Sequence, residues 1–163
     1  NAVFGKTFPE TEVLLTETAR VMSLTEPKNK MSKSKGEKNY IALSDDGKTI
    51  RKKIMGAVTD TAPNGKMSSG LENLFTLLKA FSRSQKIYED MKLSYDKGNL
   101  QYSDLKQTLA DEIISVLAPI QEKRRELESR PEIVGEILSQ GTRVAQNLAQ
   151  KTLKEVREKT GLL

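Results

Sequence analysis

The sequence predicts a mainly α fold: an antiparallel helical bundle preceded by one strand and a loop. From residue 44 onward, apolar side chains recur at helical spacing. Before that residue, only one short segment alternates apolar and polar side chains as a strand does. Hydrophobic residues make up 36% of the 163 residues and charged residues 30%. This balance suits amphipathic helices better than a sheet buried on both faces.

The strand is predicted over residues 19–24, Ala-Arg-Val-Met-Ser-Leu. A lone strand leaves its backbone polar groups unpaired. It therefore pairs with residues outside this chain, pairs with another molecule, or frays. Residues 25–39 are rich in Pro, Lys, Ser and Gly, which predicts a mobile loop. Five lysines lie between positions 28 and 38 of this loop: Lys28, Lys30, Lys33, Lys35 and Lys38.

The first three helices follow from caps and apolar stripes. Ser44 is the predicted N-cap of the first helix, with Asp45 and Asp46 in its first turn, and residues 59–65 form a turn. A third, shorter helix runs from about Ser84 to Tyr95. The stripe of the first helix is Ile50, Ile54, Ala57 and Val58, and that of the second is Leu71, Leu74, Phe75, Leu78 and Phe81.

Two longer helices complete the bundle. Ser103 is predicted to cap the fourth helix, and Pro119 within it predicts a kink or a break. Pro131 fits the first turn of the last helix. The apolar faces of both helices are expected in the core. They consist of Leu105, Leu109, Ile113, Val116, Leu117, Ile120 and Leu127 in the fourth, and Val134, Ile137, Leu138, Val144, Leu148 and Val156 in the last.

The composition excludes several classes of site. The chain has no cysteine and no histidine, which rules out disulfides, Cys/His zinc sites and any catalytic scheme that needs either residue. No uncharged apolar run approaches the roughly 18 residues of a membrane span. The net charge of +5 fits ordinary solubility or a polyanionic partner, and the charge alone does not decide between them.

The most informative stretch is Lys30-Met31-Ser32-Lys33-Ser34. Its ammonium and hydroxyl groups can bind phosphate oxygens. A generic Lys/Ser run is more often a solvated basic loop. This pentapeptide, however, is expected by chance in fewer than about one chain in a thousand of this length.

The pentapeptide resembles the signature loop of class I aminoacyl-tRNA synthetases. Its surroundings narrow the resemblance to the tryptophanyl-tRNA synthetases of bacterial type. The matching segments are 19–24, 48–54, 57–60, 102–106 and 119–122, which together extend over nearly the whole chain. The resemblance implies that residues 1–43 are a remnant of a Rossmann-like catalytic domain. Residues 44–163 would then be the helical anticodon-binding domain.

The family activates tryptophan with Mg²⁺-ATP, forming tryptophanyl-adenylate and pyrophosphate, and then transfers tryptophan to tRNA(Trp). By resemblance, Lys30 and Lys33 are catalytic and hold the pyrophosphate. The resemblance also implies that Ser32 and Ser34 donate to phosphate oxygens and that Met31 closes over the nucleotide. Val21 matches the strand position beside the adenine. These six residues are the expected ATP-binding set.

The chain also departs from the family pattern. The family's histidine-containing ATP signature cannot be present in a chain without histidine, and its Gly-x-Asp-Gln segment is also missing. The chain therefore resembles the C-terminal half of such an enzyme, which we expect to be inactive alone. A milder departure is Lys35-Gly36-Glu37, where relatives often have an acidic-Pro segment.

Other basic and aromatic residues are candidates for contact with tRNA. Lys123, Arg124 and Arg125 could contact phosphates, but a solvated helix face explains them equally well. For three tyrosines, packing is favoured over stacking on bases: Tyr88, Tyr95 and Tyr102.

Three hypotheses follow: part of a tryptophan–tRNA ligase, a non-catalytic helical tRNA-binding module, or an unrelated basic helical protein with a chance pentapeptide. The family resemblance favours the first. It implies a homodimeric parent enzyme in the cytoplasm of a bacterium, with an organelle as the alternative. No protein-bound metal and no membrane contact are expected.

Overall fold

The computed structural model describes residues 1–16, 18, 20–59 and 66–162, and this part of the chain is mainly helical, as predicted. Two 3₁₀ turns, Lys33–Lys35 and Glu37–Asn39, precede the helices. The helices are α1 (Gly47–Met55), α2 (Ser69–Phe81), α3 (Gln85–Asp96), α4 (Tyr102–Glu128) and α5 (Pro131–Thr160). The chain forms two compact units, one of residues 15–122 and one of residues 1–14 with 123–163. The predicted domain boundary at residues 43 and 44 stays a prediction.

The unit of residues 15–122 contains the hydrophobic core. Ile54, Leu78, Leu109 and Ile113 are fully buried, and each such side chain contributes about 1.5–3 kcal/mol to folding. The other buried apolar residues are Leu24, Ile50, Ala57, Leu71, Leu74, Phe75, Leu77, Leu105, Ala110 and Leu117. The predicted stripes of α1, α2 and α4 therefore supply most of this core.

Helix α3 packs on the core through half-buried side chains rather than fully buried ones. The ring of Phe75 makes edge-to-face contacts with Tyr88 and Tyr95, at centroid distances of 6.1 and 5.9 Å. Tyr102 also packs against the core. Packing is thus confirmed as a role of all three tyrosines.

Several predicted helix boundaries were wrong. The N-cap of α1 is Asp46, whose carboxylate accepts a hydrogen bond from the Thr49 backbone N–H at 2.7 Å, so Ser44 does not cap it. Asp45 instead accepts from the Ala42 backbone N–H at 2.9 Å. Helix α4 begins at Tyr102, which places Ser103 inside its first turn.

Helix α4 continues through Pro119, so the predicted break does not occur. Strong helix formers flank the proline on its C-terminal side, and they favour continuation. The Gln121 side chain also donates to the carbonyls of Leu43 and Asp45, both at 2.9 Å. These bonds fix the helix just after the proline.

Helix α5 contradicts the prediction that its apolar face lies in the core. None of its residues is buried in the described structure, and Leu148 is 66% exposed. Pro131 does occupy the first turn, and Gly161 ends the helix in the left-handed conformation at φ 72°. Within the unit of residues 1–14 and 123–163, the Lys159 ammonium donates to Lys6 O and Thr7 Oγ1, each at 3.0 Å. Periodicity predicted this helix, but it does not supply a packing partner.

The predicted strand is reduced to one antiparallel bridge between Met22 and Lys30. Ala19 lies outside the described residues, as do residues 60–65 of the predicted turn. None of the described helices is long and apolar enough to cross a bilayer.

Candidate functional site

The lysine loop, residues 25–39, begins as a short hairpin. The Ser23 N–H donates to Asn29 O at 2.8 Å, and the Met31 N–H donates to Val21 O at 3.0 Å. These bonds flank the bridge between Met22 and Lys30. The hairpin therefore brings the predicted site residues Val21, Lys30 and Met31 together.

The outer edge of this hairpin is paired by a side chain of α2. Asn73 accepts from the Met22 N–H at 3.1 Å and donates to Met22 O at 2.9 Å. Asn73 also lies 3.3 Å from Ser23 O and is only 4% exposed. The Asn73 amide thus makes the hydrogen bonds to the Met22 backbone that a neighbouring strand would otherwise make. The backbone groups of Met22, which a lone strand would leave unpaired, are satisfied within this chain.

The tip of the loop is a tight turn. Ser32 is extended and leads into the 3₁₀ turn Lys33–Lys35. The hydroxyl oxygens of Ser32 and Ser34 lie 2.8 Å apart, within hydrogen-bond distance. Gly36 follows at φ 98°, a left-handed conformation that side-chain-bearing residues rarely adopt.

The lysines of the tip differ in their partners. Lys30 and Lys33 are exposed, and neither ammonium group has a hydrogen-bond or ion-pair partner among the described residues. Lys35 instead donates to the Glu26 carboxylate at 3.1 Å. That bond, helped by a second from Asn29, lowers the pKa of the Glu26 carboxyl below its ordinary value. One lysine is therefore tied to the loop, while two are available to a ligand.

The base of the loop is closed by Asn39, which is only 6% exposed. Its Oδ1 accepts from the Ser23 hydroxyl at 2.8 Å and from the Thr25 hydroxyl. Its Nδ2 donates to Lys35 O and lies 3.4 Å from Gly36 O. The backbone carbonyl of Asn39 accepts from the Leu24 N–H at 3.1 Å. One residue thus joins the chain entering the loop to the chain leaving it.

This arrangement suits an anionic ligand. Two ammonium groups without described partners and two serine hydroxyls lie within five consecutive residues, and such donors bind phosphate oxygens well. The described residues contain no cluster of three acidic side chains that could hold a metal ion.

The predicted tRNA-contacting residues lie near the C-terminal end of α4. Lys123 pairs with Glu126 and Arg124 with Glu128, both at 2.7 Å along α4. Arg125 is exposed and has no ion-pair partner in the described part of the chain. Their contact with tRNA stays a prediction.

Sequence reasoning missed Asn39 and Asn73. Asn73 lies four positions before Leu77 on the buried face of α2, and a polar residue within an apolar stripe is a signal that could have found it. No sequence pattern of this kind marks Asn39, because the residues around it in the loop are also polar. Only the fold shows that its amide is buried.

Residues 2–118 match the family model described as tRNA synthetases class I (W and Y). This match extends over well more than half of the chain and includes the whole lysine loop. The chain belongs to this family of class I synthetases.

Within that class, its curated relatives are tryptophan–tRNA ligases. The ligase of Bacillus anthracis is 40% identical over 99% of this chain and 50% of its own length. That of Caldanaerobacter subterraneus is 38% identical over 100% of this chain and 50% of its own length. The chain spans about half the length of these relatives.

Solved structures agree with this assignment. The tryptophanyl-tRNA synthetase of Mycoplasma pneumoniae matches with a TM-score of 0.75 and 31% identity, over 91% of this chain and 45% of its own. The Campylobacter jejuni enzyme, crystallised with ADP and tryptophan, matches with a TM-score of 0.70 and 29% identity. That match extends over 99% of this chain and 50% of the other.

Proposed function

We propose that this chain is the C-terminal half of a tryptophan–tRNA ligase and supplies its catalytic lysine loop. The observation that carries the proposal is the pair of exposed ammonium groups of Lys30 and Lys33, three positions apart, which have no partner among the described residues. The similarity to tryptophan–tRNA ligases along 99% of the chain supports tryptophan as the amino acid.

In the proposed reaction, a tryptophan carboxylate oxygen attacks the α-phosphorus of ATP. The bond from that phosphorus to the bridging oxygen of pyrophosphate breaks, and pyrophosphate leaves with its Mg²⁺. Negative charge grows on the departing phosphates during this step. Lys30 and Lys33 would therefore stabilise the transition state more than the ground state.

The other loop residues have supporting roles in this proposal. Ser32 and Ser34 donate hydroxyl hydrogens to phosphate oxygens, and Met31 covers the nucleotide. By resemblance to the family, Val21 would lie beside the adenine, and its carbonyl accepts from the Met31 N–H at 3.0 Å. Mg²⁺ arrives with ATP as part of the substrate.

The activated tryptophan is then transferred from the adenylate to tRNA(Trp). The helical region from residue 44 onward is the proposed tRNA-binding part, with Arg125 as the candidate phosphate contact that its own helix leaves unpaired. We further propose a homodimeric parent enzyme that acts in the cytoplasm, as expected for a bacterial synthetase.

An alternative is a helical tRNA-binding module without catalysis. Arg125 of α4, which has no ion-pair partner among the described residues, favours this alternative only weakly, because Lys123 and Arg124 are already paired within the helix. This alternative describes the isolated chain, whereas the first proposal describes the parent enzyme.

Tryptophan-dependent ATP–pyrophosphate exchange tests the proposal. We expect no exchange from this chain alone, because the histidine signature of the family is absent from it. Adding an N-terminal half, taken from the same gene product or from the Bacillus anthracis relative, should restore exchange. Exchange by this chain alone would overturn our account of the missing half.

The reconstituted enzyme also separates the two alternatives. Failure to restore exchange, together with salt-sensitive binding of tRNA by this chain, would favour the binding module. Failure of both measurements would contradict both proposals. An N-terminal half incubated without this chain serves as the control for contaminating activity.

A further inference from the structure

We propose that Asn39 is a positioning residue that holds Lys33 where it meets the departing pyrophosphate. This inference rests on the function proposed above, because it assumes that Lys33 acts on that group. Asn39 itself does not touch the substrate in this proposal. It acts through the backbone that immediately follows the tip of the loop.

The hydrogen bonds of Asn39 connect two stretches of chain that flank the lysine tip. On one side, its Oδ1 accepts from the hydroxyls of Ser23 and Thr25. On the other side, its Nδ2 donates to the carbonyl of Lys35, two residues after Lys33. The side-chain amide therefore links the strand segment to the end of the tip, in addition to the backbone bond from the Leu24 N–H to Asn39 O.

The side-chain amide of Asn39 has its hydrogen-bonding groups filled by the loop itself. An asparagine side chain offers one carbonyl oxygen with two lone pairs and two N–H donors. Both lone pairs have hydroxyl partners, and the donors face the carbonyls of Lys35 and Gly36. Because the side chain is only 6% exposed, water cannot readily replace these partners.

Apart from local backbone bonds, such as that from the Gly36 N–H to Lys33 O at 3.2 Å, the segment that Asn39 holds has little to fix it. Lys33, Ser34, Lys35 and Gly36 are all exposed, and no residue of the turn Lys33–Lys35 is buried. The ion pair between Lys35 and Glu26 is exposed and contributes little to stability. Displacing a catalytic group by about 1 Å can cost about a hundredfold in rate.

Asn39→Asp is the sharpest test of the inference. Aspartate keeps the acceptor for Ser23 and Thr25 but removes the donor to Lys35 O and Gly36 O. In the complete enzyme, we expect kcat of pyrophosphate exchange to fall about tenfold, while KM for tryptophan stays unchanged. Asn29→Ala is the matched control, since Asn29 is an exposed asparagine of the same loop, and it should change kcat less than about twofold.

A double variant shows whether Asn39 acts through Lys33. If it does, Asn39→Asp in the Lys33→Ala background should lower exchange less than about twofold further, because the group that it positions is already gone. A full further tenfold loss would show independent effects and would overturn the inference. An unchanged kcat in Asn39→Asp alone would also overturn it.

A second measurement does not depend on the reaction. Trypsin should cut after Lys33 about five to ten times faster in Asn39→Asp than in the wild-type chain, because the freed turn opens more often. Urea unfolding checks that the wild-type chain and Asn39→Asp are both folded. If Asn39→Asp does not fold, Asn39→Ser replaces it in this measurement. Equal cleavage rates would contradict the positioning role.

The two proposals fail in different ways. If the wild-type complete enzyme shows no tryptophan-dependent exchange, the proposed function fails, and the cleavage rate alone decides whether Asn39 holds the tip. If exchange is present and Asn39→Asp leaves both kcat and cleavage unchanged, only the inference about Asn39 fails.

Discussion

The helical core and the tip of the lysine loop are held by opposite means. In the core, Leu109 and Ile113 are fully buried between helices. At the tip, Lys30 and Lys33 are exposed and unpaired among the described residues. Between the two regions lie buried amides, of which Asn73 connects α2 to the strand segment at Met22.

This contrast separates residues that stabilise the fold from residues that are free to act. Apolar burial gives the core its stability, but it leaves no polar group available to a ligand. The tip has available charge and almost no packing. The buried side-chain amides of Asn39 and Asn73 combine stability with available charge. They anchor the base of the exposed loop by hydrogen bonds that are shielded from water. Each prediction below perturbs one part of this arrangement.

The largest effect on stability is expected in the core. Ile113→Ala should lower the free energy of unfolding by about 2–5 kcal/mol, since it leaves a cavity among fully buried side chains. Urea unfolding followed by circular dichroism measures this loss. Leu148→Ala on α5 is the control, and we expect a change within about 0.5 kcal/mol at that exposed position. Similar losses in both variants would show that α5 buries its apolar face in solution.

A smaller loss is expected when the connecting amide is removed. Asn73→Ala leaves the Met22 N–H and C=O without partners, which should lower the free energy of unfolding by about 1–3 kcal/mol. Asn147→Ala, at an exposed site of α5, should be close to neutral. Hydrogen exchange of the Met22 amide gives a local readout, and unchanged protection in Asn73→Ala would refute the bridging role.

A pH-dependent effect is expected at Lys106. Its ammonium donates to Met55 O at 3.1 Å and to Ala57 O at 2.8 Å, and burial lowers the pKa of this group. As pH rises from the lowered native pKa towards the ordinary value, the unfolded chain binds more protons than the native one. The contribution of Lys106 to the free energy of unfolding therefore increases with pH in that window.

The variant Lys106→Met isolates this contribution. The free energy of unfolding of wild type minus that of Lys106→Met should become more positive as the pH rises through the alkaline range. Lys48→Met, at an exposed position of α1, is the control for replacing a lysine by methionine. If the free energy of unfolding of wild type minus that of Lys106→Met stays constant across the alkaline range, burial does not destabilise the Lys106 ammonium.

The smallest effect on stability is expected at the tip itself. Lys30→Ala and Lys33→Ala should each change the free energy of unfolding by less than about 0.5 kcal/mol, because neither ammonium group has a hydrogen-bond or ion-pair partner in the described part of the chain. Thermal unfolding of this chain measures the change. A loss above that value would mean that these lysines have structural contacts.

The sequence predicts the core more completely than the base of the loop. Leu105, Leu109 and Ile113 recur at helical spacing, and a stripe of this kind needs only a facing surface to be buried. The apolar face of α5 has the same spacing and stays exposed, because spacing defines a face and not its partner.

Polar contacts are harder to predict because they join residues far apart in the chain. Asn73 lies about fifty positions after Met22, and no local pattern links them. Asn39 closes a loop whose two ends are brought together only by the fold. The lysine pentapeptide could be found from the sequence, since its five residues are contiguous. The amides that hold it in place could not.

Exchange kinetics of two lysine variants test the central claim most directly. In the complete enzyme, Lys33→Ala should slow tryptophan-dependent ATP–pyrophosphate exchange by about 100- to 1,000-fold, because it removes a preorganised charge at the departing phosphates. Lys35→Ala removes a neighbouring lysine that is already paired with Glu26, and it should slow exchange less than about threefold. Equal losses in the two variants, or no loss in Lys33→Ala, would contradict the account.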